Sequence, residues 1–186
     1  ILPIEDKVDL FRLSVKDIDA HYYESAPTEV FCLSCGCVID EAYVPTPFHL
    51  HSGRMNDLAI TYDSQHVCTE KFRSLCDKEL ADVSFTLIDQ IKGWYRFTPR
   101  RVLKFDAERR GTIFNHKCNL CGQYLEIIGS IPVLLKPEVT DSNITIAATD
   151  IHFGSGRSKA PKLLVSTRFK QAMMSARISG YTATLI

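Results

Sequence analysis

Phe31-Cys32-Leu33-Ser34-Cys35-Gly36 and Lys117-Cys118-Asn119-Leu120-Cys121-Gly122 are two copies of one short pattern, Cys-x-x-Cys-Gly. A Cys-x-x-Cys pair puts two thiolates at the tip of a tight turn, close enough to bind one ion. The following glycine permits the backbone conformation in which amides approach the sulfurs. Two such knuckles supply four thiolates, the donor set of a structural tetrahedral zinc site. The spacing is unusual: 82 residues separate Cys35 from Cys118, where a compact zinc ribbon has about 15–20. The pattern therefore predicts a zinc-ribbon-like clasp that draws distant parts of one domain together.

The competing chemistries are two separate redox pairs or a four-cysteine iron–sulfur cluster. Neither pair sits in a recognisable strand-to-helix redox context, and nothing else in the chain suggests electron transfer. One structural Zn2+ held by Cys32, Cys35, Cys118 and Cys121 is the simpler reading. Cys37 competes with Cys35 for the role, but the repeated Cys-x-x-Cys-Gly favours Cys32 and Cys35. Cys68 and Cys76 read as small buried apolar residues.

The intervening segment must then hold secondary structure. Thr69 and Glu70 read as the start of a helix. Phe72, Leu75, Cys76 and Leu80 follow at offsets 0, 3, 4 and 8, one apolar face. Val83, Phe85 and Leu87 alternate with polar residues and predict a strand. A second helix begins near Thr167 with Ser166 as its cap, and Phe169, Ala172, Met173 and Ala176 make its apolar face. The two starts look alike: Val67-Cys68-Thr69-Glu70-Lys71-Phe72-Arg73 beside Leu164-Val165-Ser166-Thr167-Arg168-Phe169-Lys170. The expectation is a pair of similar helix–strand units, about 58–88 and 144–186.

Outside these units, residues 1–16 read as an extended start leading into a strand. Residues 17–30 read as loop or short helix, and 40–57 as irregular. Trp94–Phe97 and Val102–Phe105 read as two strands joined at Pro99-Arg100. Residues 113–128 hold the second knuckle in strand-like surroundings, and 150–161 read as a Gly/Ser loop. The fold class expected is α+β: mostly antiparallel sheet with two main helices, in a single domain spanning 1–186.

Composition narrows the function. Apolar residues make 45% and charged residues 24% of the 186, so the chain can bury a core. Lys plus Arg and Asp plus Glu balance at 22 each, which argues against a large nucleic-acid footprint. The densest basic stretch is Arg96, Arg100, Arg101, Lys104, Arg109 and Arg110, interrupted by Asp106 and Glu108. No apolar run is long enough for a membrane helix. The seven cysteines, an odd number, together with the lack of a visible secretory signal, point to a cytoplasmic setting.

No catalytic set stands out. His49 and His51 could share a metal on one strand face, though a plain loop pair reads better. His116 stands beside the second knuckle. His152 precedes Gly154-Ser155-Gly156-Arg157, which lacks the ending of a P-loop. The expectation is a non-enzyme.

Cys32-Leu-Ser-Cys35-Gly36, Cys118-Asn-Leu-Cys121-Gly122 and the stretch from Leu163 through Phe169 to Gly180 resemble the double-CXXCG motif immunity proteins of bacterial polymorphic-toxin and contact-competition systems. The resemblance spans about residue 30 to the end. It implies a cytoplasmic protein that neutralises a cognate protein toxin by covering its active site. Trp94, Tyr95 and Tyr43 are candidate contacts, since aromatic residues favour binding hot spots. The alternatives are a zinc-ribbon nucleic-acid-binding protein using Arg96–Arg110, and a metalloenzyme using His49, His51 or His152.

Overall fold

The computed structural model describes residues 9–51, 53–137 and 143–186. The expected extended start over residues 1–8 lies outside them. The fold is α+β, with two mostly antiparallel sheets.

The smaller sheet has four strands, all from the middle of the chain. In chain order the strands are β1 (Leu10–Val15), β2 (Leu58–Ile60), β3 (His66–Thr69), β4 (Val83–Asp89), β5 (Trp94–Pro99), β6 (Val102–Leu103), β7 (Ile113–Lys117), β8 (Tyr124–Ile128), β9 (Ile146–Ser155), β10 (Ser158–Ser166) and β11 (Tyr181–Leu185). The helices are α1 (Glu70–Lys78), α2 (Ala107–Arg110) and α3 (Thr167–Ser175). The four-stranded sheet runs β2-β3-β5-β4, and the seven-stranded sheet β11-β1-β10-β9-β8-β7. The long β9 has two partners on one side: β8 along Gly154–Ser155 and, in parallel, β6 along Ala148–Thr149.

The two expected helix–strand units have the same topology. In one, the β2–β3 hairpin runs without a break into α1 and returns as β4. In the other, the β9–β10 hairpin runs into α3 and returns as β11. In each, an antiparallel strand is inserted between the hairpin and the return strand, β5 in the first and β1 in the second. The orders β2-β3-β5-β4 and β9-β10-β1-β11 match position for position.

Each sheet carries buried residues on both faces, except toward the β7–β8 end, which is exposed or half-buried, and strand alternation decides which residue goes where. Leu58, Cys68, Phe97, Leu163 and Val165 point into a core shared with Phe72 and Leu75 of α1 and Phe169 and Met173 of α3. Their neighbours Ala59 and Val67 point the other way, under the irregular segment 17–57, with Tyr22, Tyr23 and Phe48. Ala147 and Leu164 point to a third cluster with Leu103, Phe105 and Val133.

Four local expectations are corrected. Thr69 holds the cap position of α1, but its hydroxyl donates to Asp57 Oδ1 (3.1 Å) instead of accepting from the helix. Ser166 does cap α3, accepting from the Phe169 amide at 3.3 Å. Leu87 leaves the inward alternation because a bulge precedes Asp89; Leu87 is exposed and Ile88 is buried in its place. Segments 94–97 and 102–105 are not a strand pair, since β5 stays in the four-stranded sheet while β6 crosses to β9. Residues 150–161 are a strand hairpin turning at Gly156-Arg157, not a loop.

Candidate metal centre

The two knuckles are built alike. In the first, the Cys32 amide donates to Cys37 O (2.8 Å) and the Gly36 amide to Cys32 O (2.7 Å). In the second, the Cys118 amide donates to Gln123 O (2.8 Å) and the Gly122 amide to Cys118 O (2.9 Å). Gly36 and Gly122 sit at φ +72° and +74°, left-handed values that cost other residues strain. The glycine after each second cysteine is thus explained by the turn it closes. The second knuckle is the tip of the β7–β8 hairpin at the edge of the large sheet. The first is flanked by the Phe31–Val38 bridge, in the segment that covers the small sheet.

The knuckles meet. Cys32 Sγ lies 3.7 Å from Cys118 Sγ, and Cys35 Sγ 3.6 Å from Cys121 Sγ. All four sulfurs fall within 4.8 Å of one another. A disulfide needs about 2.05 Å, and these cysteines are free. Four sulfurs each about 2.3 Å from a central zinc would stand ~3.8 Å apart. The Cys32–Cys118 and Cys35–Cys121 separations fit that tetrahedron, and the four cysteines singled out in the sequence are brought together and can hold a metal ion.

The backbone prepares the first cysteine of each pair for its charged form. The Cys121 and Leu120 amides point at Cys118 Sγ and hold its thiol down at about 6. The Cys35 and Ser34 amides do the same for Cys32, lowering it against the effect of burial. At Cys35 the Cys37 amide also pulls downward, but burial and the neighbouring sulfurs outweigh it and the net shift is upward. The first thiol of each knuckle is therefore the more readily ionised, and a bound cation would draw off the remaining protons.

Cys37 is not part of the quartet. It is fully buried, and its Sγ lies 3.4 Å from Lys159 Nζ and 3.8 Å from Tyr124 O. Lys159 also donates to Gln123 Oε1 (3.0 Å) and Tyr124 O (2.7 Å), while Gln123 Nε2 donates to Val38 O (2.7 Å). These bonds tie the knuckles together beside the sulfurs. Lys159 and Gln123 escaped sequence reasoning because no motif marks them. Cys68 and Cys76 are buried as expected, and burial pushes both thiols up, Cys76 to about 12.

The histidines make no second centre among the described residues, where the four cysteines are the one group with metal-binding geometry. His51 Nε2 faces Glu24 at 3.2 Å. His116 is exposed, at φ +53°. His152 and His66 line a cleft of about 290 Å³ between the sheets, with Arg96, Lys159 and Asp150. Burial drives the His66 pKa down to about 4, with Lys162 and His152 adding to it.

The aromatic contact candidates turn inward. Trp94 packs on Phe48, Tyr43 stacks on Tyr23, and the Tyr95 hydroxyl donates to Glu70 at 2.7 Å. The exposed apolar residues lie elsewhere. Leu33 and Leu120, the x residues of the two knuckles, are 85% and 69% exposed. With Ile39, Phe31, Cys32 and Cys121 they line a groove of about 690 Å³ over the clasp.

The basic stretch is dispersed. Arg96 donates to Glu41 O, Arg100 faces Asp82, Lys104 faces Asp150, and Arg110 bonds Ile131 O. Among the described residues, no helix is long and apolar enough to cross a membrane.

No protein-family model matches the chain, and no curated protein matches it.

Proposed function

We propose that this chain is a zinc-clasped bacterial immunity protein, acting in the cytoplasm, that binds a cognate protein toxin and occludes its active site. The observation that carries the reading is the closed quartet of Cys32, Cys35, Cys118 and Cys121. Four thiolates fill a tetrahedral zinc and leave no open position for substrate, so the metal's role is to hold a surface in shape. That surface displays Leu33, Leu120 and Ile39 along one groove over the clasp, and an exposed apolar patch of this kind, unlike a lone exposed leucine, suits a protein partner. The role follows from the resemblance of the knuckles and the C-terminal unit to the double-CXXCG immunity proteins. An occluding interface would bury on the order of 1,600 Å² in total.

The nucleic-acid reading draws less support. Its contact strip is divided between two sheets, and Arg100 and Lys104 already face carboxylates.

The test is co-expression with each toxin encoded beside the gene, scored by survival. Wild type is expected to rescue growth against one of them. Leu33→Glu with Leu120→Glu is expected to abolish rescue while keeping the metal and the fold. Failure of wild type to rescue against any neighbouring toxin overturns the reading.

A further inference from the structure

A cavity of about 250 Å³ lies against β1 and β10, away from the clasp, with Arg12, Lys162 and His66 among its lining residues. The sheet register brings the first two together. Arg12 stands opposite Leu164 across the β1–β10 ladder. Lys162 lies two residues before Leu164, at an irregularity of the β9–β10 pairing between Pro161 and Leu163, and lines the same cavity as Arg12.

Among the described residues these basic groups have no acidic partner at ion-pair distance. Arg12 Nε is shut off from solvent and has no hydrogen-bond partner among the described residues. The Lys162 ammonium rests 5.7 Å from the Phe153 ring centroid, and no carboxylate pairs with it among the described residues. Burial, and next the Arg12 charge, push the Lys162 pKa below its usual range. His66, on the same wall, is held neutral by burial and by Lys162. Among the described residues Asp17 is the one acid lining the cavity, and it is exposed. Both side chains are half-buried, and partly desolvated cations without counter-charge are held at a cost that an anion between them would reduce.

We propose that this cavity binds a small tetrahedral oxyanion of the phosphate class, gripped by the Arg12 guanidinium and the Lys162 ammonium, with His66 on its wall. Arg and Lys together suit such an anion, the one by its planar fork and the other as a point charge. The volume accommodates a free phosphate or a small phosphate monoester. The site is independent of the toxin-binding reading.

The test is calorimetric titration of the metal-loaded protein with inorganic phosphate, and separately with methyl phosphate, ionic strength being held constant with sodium chloride. Saturable one-to-one binding is expected, with a melting temperature that rises with the logarithm of ligand concentration. Tighter binding of methyl phosphate identifies a monoester as the natural ligand; tighter binding of inorganic phosphate identifies the free ion. Lys162→Met and Arg12→Gln are each expected to weaken binding about tenfold or more. Lys92→Met, at a site stacked on Trp94, is expected to leave binding unchanged. Lys162→Met removes a repulsion, so its melting temperature without ligand should equal or exceed that of wild type. No saturable heat up to about 10 mM of either ligand, or unchanged affinity in both Lys162→Met and Arg12→Gln, overturns the proposal.

Discussion

The rings of Phe72 and Phe169 meet in the central core with centroids 6.3 Å apart and planes at 72°. Each opens the apolar face of its helix, and each is fully buried. The two like units of the chain therefore touch through equivalent residues. Phe72→Ala and Phe169→Ala should each cost about 3–5 kcal/mol, the usual range for a buried Phe. Because the rings share one contact, the double variant should lose less than the sum of the single losses, by about 0.5–1.5 kcal/mol. Denaturant unfolding of the four proteins checks this.

The carboxylate of Asp57 joins the units a second time. It accepts from the Ser179 amide and hydroxyl (both 2.9 Å), from Thr69 Oγ1 (3.1 Å) and from Lys71 Nζ (3.2 Å). Burial acts to raise its pKa, but these bonds outweigh it and the net shift is downward. A depressed carboxylate contributes stability that is present above its unfolded pKa of about 3.9 and is lost as pH falls through the lower folded value. Asp57→Asn should therefore be less stable than wild type at pH 7, by about 1–3 kcal/mol. The gap should narrow below about pH 4. Thermal melts of both proteins across that range test the point.

His66 predicts a different window. Its folded pKa of about 4 lies below the unfolded value of about 6.5, so the unfolded chain takes up the proton first. Stability should be full above about pH 6.5 and decline as pH falls toward 4. His66→Gln should flatten that decline without changing the Asp57-linked loss at lower pH. Chemical denaturation from pH 7 to 4 separates the two.

The parts of the fold legible in the sequence are those carried by local chemistry. The knuckles were readable because cysteine spacing and the following glycine are set within five residues. The like helix starts were readable because hydroxyl, basic residue and Phe recur in order before the same apolar face. What escaped depends on tertiary choice. Nothing in Pro99-Arg100-Arg101 says that the chain leaves one sheet for another; that follows from Ala148 of β9 offering its amide to Arg101 O (2.9 Å). Gly154 and Gly156 suggested a loop, but they sit at φ +130° and +54° near a tight hairpin turn. Arg12 and Lys162 are 150 positions apart and meet only through the pairing of β1 with β10. The exposure of Leu33 and Leu120 was hidden for the same reason: an x position in Cys-x-x-Cys does not reveal which way it faces.

The central claim is that the four knuckle cysteines hold one zinc ion that clasps the fold. The measurement that tests it most directly is metal content with thermal unfolding, for wild type, Cys35→Ser and Cys118→Ser. The account predicts one zinc per wild-type chain, its loss in both variants, and a fall in melting temperature of roughly 10 °C or more. Wild type free of zinc, or zinc retained in both variants, would contradict it.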